Sequence, residues 1–191
     1  MATNGGLNWA WFLNLGVPLM LLGFAYGCGG EAFVGGEALQ SAVTALEGRP
    51  SAERLASHWD ASARLVKVEG WRVARNGRLA ENPDSVWVYT FSRPQDEAFY
   101  EVRRDGRGTV DAGPKAEIQV QSLWEEAFDD WQVDSPVVAA HVAKEGLPIG
   151  ETFGMELTRD GVWRVSAEDG TSLREMHIDA RTGKRILGLA P

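Results

Sequence analysis

The chain has 191 residues, a formal net charge of −8, a pI near 4.9 and a single cysteine. The acidity argues against a nucleic-acid partner, whose phosphates need a basic face, and one cysteine excludes an intrachain disulfide. The length suits one medium domain, or two small ones, behind an anchor.

Residues 1–30 carry no charged side chain; the first acid is Glu31 and the first base Arg49. Leu7 to Cys28 is a run of 22 uncharged residues. As a helix it is roughly 33 Å long at about 1.5 Å per residue, enough for one bilayer core of about 30 Å. Trp9 and Trp11 stand near one end, Phe24 and Tyr26 near the other, as aromatic rings at two headgroup levels do. Three readings of this span compete. A cleaved signal peptide lacks its basic n-region here. "FAYGCGG" resembles a bacterial lipobox with Cys28 as the acylated residue, although Ala25 stands where leucine is preferred and Tyr26 is bulky. A retained transmembrane helix is the expectation, with residues 1–30 as anchor and 31–37 as linker. Gly16, Gly23, Gly27 and Gly30 then fall along one stripe, including a GxxxG, which lets a second membrane helix approach closely. The α-amine places the N-terminus on the cytoplasmic side and the body outside the bacterial inner membrane, in the periplasm.

Beyond the linker, Ala38–Leu46 and Ser51–Trp59 read as two short helices parted by Gly48 and Pro50. From Arg64 to Val73 the apolar period shifts to two, and Asn76–Gly77 is a turn signal. Val86–Phe91 is a β-branched and aromatic strand, and Phe99–Arg103 another, ending at Asp105–Gly106. Gly108–Lys115 briefly suggests a phosphate loop, but Pro114 and Ala116 break the pattern, so it reads as a loop between lobes. Leu123 to Trp131 is a helix or an irregular packed segment. Ser135–Pro136 starts a helix that closes at Gly146. Strands follow at Gly154–Thr158, Val162–Ala167 and Leu173–Ala180, with a last one at Lys184–Leu187. The order is helix then antiparallel meander, twice, which implies an α+β fold with lobes at 38–118 and 119–191.

Residues 131–187 resemble a PepSY domain, through Trp131, Asp134–Ser135, Val138–Ala139, Ala143, Gly146, Trp163–Arg164–Val165 and the closing "HIDARTGKRI". "FYEVRRDGRGTVDAG" echoes the same ending, so 38–112 resembles a degenerate first copy. The resemblance implies one or two PepSY-like helix-plus-meander lobes, an extracytoplasmic compartment, and protein contact or inhibition rather than shared catalytic residues.

No chemistry stands out. His58, His141 and His177 lie on separate elements and form no metal spacing. No nucleophile motif is present. Glu125–Glu126 and Asp129–Asp130 read as a solvated face, and Asp179 as a turn-former. No catalytic residue, metal site or cofactor is therefore expected. Six tryptophans, Trp59, Trp71, Trp87, Trp124, Trp131 and Trp163, belong to the body, and one or two are expected as exposed anchors for a partner. The expected function is a non-catalytic, membrane-anchored accessory subunit of a bacterial membrane protein complex. Its partners are other subunits and the lipid bilayer. The alternative is a lipoprotein or anchored sensor or peptidase-inhibitor module. A subunit of a photosynthetic or respiratory complex is a further extension of the first reading.

Overall fold

A Thr-x-x-Glu box starts the first helix, α1 (Ala45–Trp59): Thr44 Oγ1 accepts from Glu47 N at 3.1 Å, and Glu47 Oε2 accepts from Thr44 N at 2.9 Å. The reciprocal bonds satisfy two of the helix's orphan donors. This computed structural model describes residues 43–93, 98–115, 130–147, 150–169 and 172–187, all within the unit Ala32–Pro191. After α1 come strands β1 (Arg64–Ala74), β2 (Val86–Arg93), β3 (Ala98–Asp105) and β4 (Val110–Lys115). Helix α2 (Ser135–Lys144) follows, with Asp134 as its cap and Pro136 in its first turn. The chain then adds β5 (Thr152–Thr158), β6 (Val162–Asp169), β7 (Ser172–Asp179) and β8 (Arg185–Ile186).

All eight strands form one antiparallel sheet in the order β4-β3-β2-β1-β5-β6-β7-β8. Both helices pack on one face of it. Ala45, Ala52 and Ala56 of α1, and Val138, Ala139 and Val142 of α2, share a single apolar cluster with Trp87, Tyr89, Phe91, Leu157, Trp163 and Ile178.

The two halves build the same joints. Trp87 Nε1 donates to Val43 O at 3.0 Å, and Trp163 Nε1 donates to Val133 O at 2.9 Å. Each carbonyl belongs to the residue just before a helix cap, Thr44 or Asp134. Gly106 N reaches Ser85 O at 2.8 Å, and Ala180 N reaches Gly161 O at 2.7 Å. Asp105 gathers Arg107 N and Thr109 N, while Asp179 gathers Arg181 N and Thr182 N. At the seam the helix starts meet. Leu46 N donates to Asp134 Oδ1 at 3.0 Å and Ala45 N to Ser135 Oγ at 3.1 Å. One carboxylate thus faces the positive ends of both helices, where negative charge is favoured.

Several expectations are corrected. The α+β reading, with one or two separate PepSY-like helix-plus-meander lobes, does not hold. The described residues form mainly one eight-stranded antiparallel sheet with two helices. The reason is the pairing of β1 with β5, which joins the first strands of the two meanders through Val68–Leu157, Glu69–Glu156 and Gly70–Met155. Unpaired, each would be a bare edge with an apolar face. Val110–Lys115 is the edge strand β4 rather than a loop; Pro114 is tolerated there because an edge strand can spare a donor. The two short helices before β1 are one helix over Ala45–Trp59, with residues 38–42 outside the described set. The expected membrane helix also lies outside it, with Trp9, Trp11, Gly16, Gly23, Phe24, Tyr26, Gly27, Cys28 and Gly30. Among the described residues, no helix is long and apolar enough to cross a membrane.

Candidate functional site

Side chains alternate across a strand, so the sheet has a helix-covered face and a second face that carries neither described helix. Along β2, Trp87, Tyr89 and Phe91 enter the core, while Val86, Val88, Thr90 and Ser92 point the other way. On that second face one row of paired positions crosses all eight strands. It reads Asp111, Arg103, Val88, Glu69, Glu156, Arg164, His177 and Ile186 from β4 to β8.

At the middle of the row, the like charges of Glu69 and Glu156 are adjacent across the β1–β5 seam. Lys67 bridges them, with Nζ 3.0 Å from Glu69 and 3.2 Å from Glu156. Burial works to lower the Lys67 ammonium, but the two carboxylates outweigh it and hold it above the ordinary lysine value. A lysine held in its charged form is a poor nucleophile or base. The trio therefore locks the seam rather than offering chemistry.

Beside it lies the groove, with a volume of about 600 Å³. Its floor is Val86 and Val88; Trp71 and Pro83 form apolar walls; Glu69, Glu101 and Arg103 form a charged side. Arg72 and Asp84, paired at 3.1 Å, stand at its rim. Alternation along β1 places Trp71 there, on the face of Lys67 and Glu69 and opposite Val86 of β2. The β1–β5 register shifts between Gly70 and Val73, and Arg72 lies at φ +50°. The bulge re-aims the chain beyond Trp71, so that Val73, two residues on, turns into the core. On the core side, a Cβ at Gly70 would run into the Trp87 ring, so glycine lets the strand lie against Trp87. Trp71 is 57% exposed, whereas Trp87 and Trp163 are fully buried.

The other residues singled out by sequence do not converge. Trp131 packs edge-to-face on Trp163, ring centroids 5.7 Å apart. Trp59 stacks on Tyr100 with the Arg93 guanidinium 5.1 Å from its ring. Trp124 lies outside the described residues, with Glu125, Glu126 and Asp129, while exposed Asp130 sits 3.3 Å from Arg181. His58 is on α1, His141 is 4.0 Å from Glu145 on α2, and His177 is 4.0 Å from Glu175 on β7. Among the described residues, no group of three or more His, Cys, Asp or Glu could hold a metal ion. Asp179 shapes its turn, and the Thr182 backbone and hydroxyl bonds hold its carboxyl below the ordinary aspartate value.

Sequence reading did not find the groove. Its lining comes from three strands and the β1–β2 connection, and its only local signal is a large ring directly after a glycine inside a strand, Gly70–Trp71. No family model, curated protein or solved structure was found to match the chain.

Proposed function

We propose that this protein is a non-catalytic binding module that contacts a partner protein through the groove on the sheet face opposite the two described helices, and that residues 1–30 anchor it beside that partner in a bacterial inner membrane. The observation that carries the reading is Trp71: a tryptophan more than half exposed, on the same face as Val86 and Val88, which line the groove with it. Large rings that keep such positions are the residues that dominate protein interfaces. Arg103 beside it is exposed and lines the groove, so the groove offers a ring and a positive charge together. A partner segment with an apolar side chain next to a carboxylate fits that pair.

The test is purification of the full chain from its own membranes in mild detergent, with Trp71→Ala and Arg103→Ala beside the unaltered protein. Loss of a hot-spot tryptophan costs about 2 kcal/mol or more, on the order of 30-fold in affinity. Trp71→Ala is expected to strip a stoichiometric partner while leaving the urea midpoint of the body unchanged. Equal recovery of the partner with both variants refutes the groove as the contact. Gly23→Leu with Gly27→Leu separately weakens association if the helix stripe also contributes. Intact mass decides the anchor: about 20.9 kDa for the retained span, or a chain beginning at Cys28 with acyl mass for the lipoprotein alternative.

A further inference from the structure

Among the described residues, Arg72 is the one non-glycine residue with a left-handed backbone, at φ +50°. In that region the Cβ crowds the following carbonyl; glycine escapes the cost, and asparagine and aspartate bear it best. A long side chain gains nothing from the position. The fold nevertheless fixes it there. The buried Ser85 hydroxyl donates to Arg72 O at 2.8 Å and accepts from Ala80 N at 2.9 Å. Strain of this kind persists where the surroundings impose it, and it gathers at ligand clamps.

The arginine does little for the fold in return. Its side chain is 66% exposed and lines the groove. It reaches Asp84 through Nη1 at 3.1 Å, and Asp84 is equally open to water. An exposed pair contributes little to stability. The Nε–Nη2 edge takes no part in that bond, and it is an edge that can pair with both oxygens of a carboxylate.

The charges of the groove single out its two arginines. Glu69 has Lys67 at 3.0 Å, Glu101 has Lys115 at 3.5 Å, and Asp84 has Arg72. Each acid of the lining thus stands beside a cation of this chain. The two arginines flank β2 from opposite sides. Arg103 is opposite Val88 on β3, and Arg72 follows Trp71, which is opposite Val86 on β1. The Val86–Val88 floor lies between them.

We propose that Arg72 is a specificity-determining contact of the groove, and that the partner segment carries a carboxylate on each side of its apolar side chain. The apolar side chain rests on Val86 and Val88 against Trp71. One carboxylate pairs with Arg103 and the other with the Nε–Nη2 edge of Arg72. This rests on the groove as the partner contact and adds a second charge to it. An arginine held where glycine would be unstrained is then explained by what it binds.

The experiment follows the Trp71 indole N–H resonance in the full ¹⁵N-labelled chain in detergent, assigned by its loss in Trp71→Ala. The probes are two blocked peptides, acetyl-Glu-Leu-Glu-amide and acetyl-Gln-Leu-Gln-amide. Physiological ionic strength, with a Debye length of about 8 Å, screens the net charge of −8 but not a direct contact. The acidic peptide is expected to move the resonance saturably and to bind on the order of 5-fold more tightly than the neutral one. Arg72→Gln should weaken the acidic peptide about 2- to 5-fold and leave the neutral one unaffected. Arg72→Gly should do the same with a urea midpoint at or above that of the unaltered chain, because it removes the strain. An arginine that serves only the fold would not separate binding from stability in this way. Equal binding of the two peptides overturns the inference while the groove reading stands. So does undiminished binding of the acidic peptide by Arg72→Gln and Arg72→Gly. A Trp71 resonance unmoved by either peptide overturns both.

Discussion

Gly48 shows how a residue read as a breaker can be a packing residue. It sits inside α1, where glycine is disfavoured by about 1 kcal/mol against alanine. A Cβ there would overlap the Tyr89 hydroxyl, which must come that close to donate to Ala45 O. Gly48→Ala is therefore expected to destabilise the body by about 1–3 kcal/mol despite its better helix propensity. Gly48→Ala combined with Tyr89→Phe removes the hydroxyl in the way, so the pair should cost less than the sum of the two single changes. Urea unfolding of the four proteins checks this, and strict additivity would mean that the two side chains do not compete for space. The tryptophans carry the same lesson. Their positions are plain in the sequence, but which of them lie inside is set by strand register: Trp87 pairs with Gly70 on the core face, and Trp71 pairs with Val86 on the other.

At the scale of an element, α1 is the place where local signals misled most. Gly48 and Pro50 together read as a gap, yet the helix runs through both. Pro50 removes the donor that would reach the Leu46 carbonyl, and the Ser51 hydroxyl donates separately to Gly48 O at 3.0 Å. Burial of Ala45, Ala52 and Ala56 against the sheet outweighs the local penalty, as tertiary packing usually does for a helix of this length. The start of the helix has a pH signature. The backbone N–H of Thr44, then Arg78, hold the Glu47 carboxyl below its ordinary value of 4.5, against the opposing effect of burial. A carboxyl lowered in the folded state stabilises it above the unfolded value and loses that contribution as pH falls through the folded one. Stability should therefore decline as pH falls below about 4.5. Glu47→Gln should lower the urea midpoint at pH 7 and flatten that decline. Glu47 is half exposed, so the effect is modest. Parallel stability–pH curves for the two proteins would remove Glu47 from the account.

At the scale of the whole molecule, the β1–β5 seam decides whether the halves are two bodies or one. Residues 38–118 and 119–191, expressed separately, each carry a helix and a meander. Each also exposes a long apolar strand, β1 or β5, that the intact chain pairs at the centre of the sheet. Core residues of both halves belong to one cluster, and Asp134 of the second half caps the helix of the first. Each fragment alone is expected to lack cooperative unfolding, and the mixture to regain it; the intact body should unfold in one transition. Circular dichroism with urea titration checks this. A cooperative transition in either isolated half would show that the seam is a contact between self-sufficient units.

The sequence by itself determined what depends on neighbours a few residues apart. Alternation placed β2, β3, β6 and β7 within a residue or two, and Asn76–Gly77, Asp160–Gly161 and Thr182–Gly183 marked the turns at which Gly77, Gly161 and Gly183 take positive φ. Asp134, Ser135 and Pro136 announced α2. Only the tertiary structure decided that the two meanders share one sheet, that Asp134 serves a helix 88 residues away, that Trp71 stands over a groove, and that Arg72 stands at its rim. Periodicity and turn chemistry are local properties and leave a local trace. A contact between distant segments depends on which faces the chain buries together, and no spacing along the sequence records it.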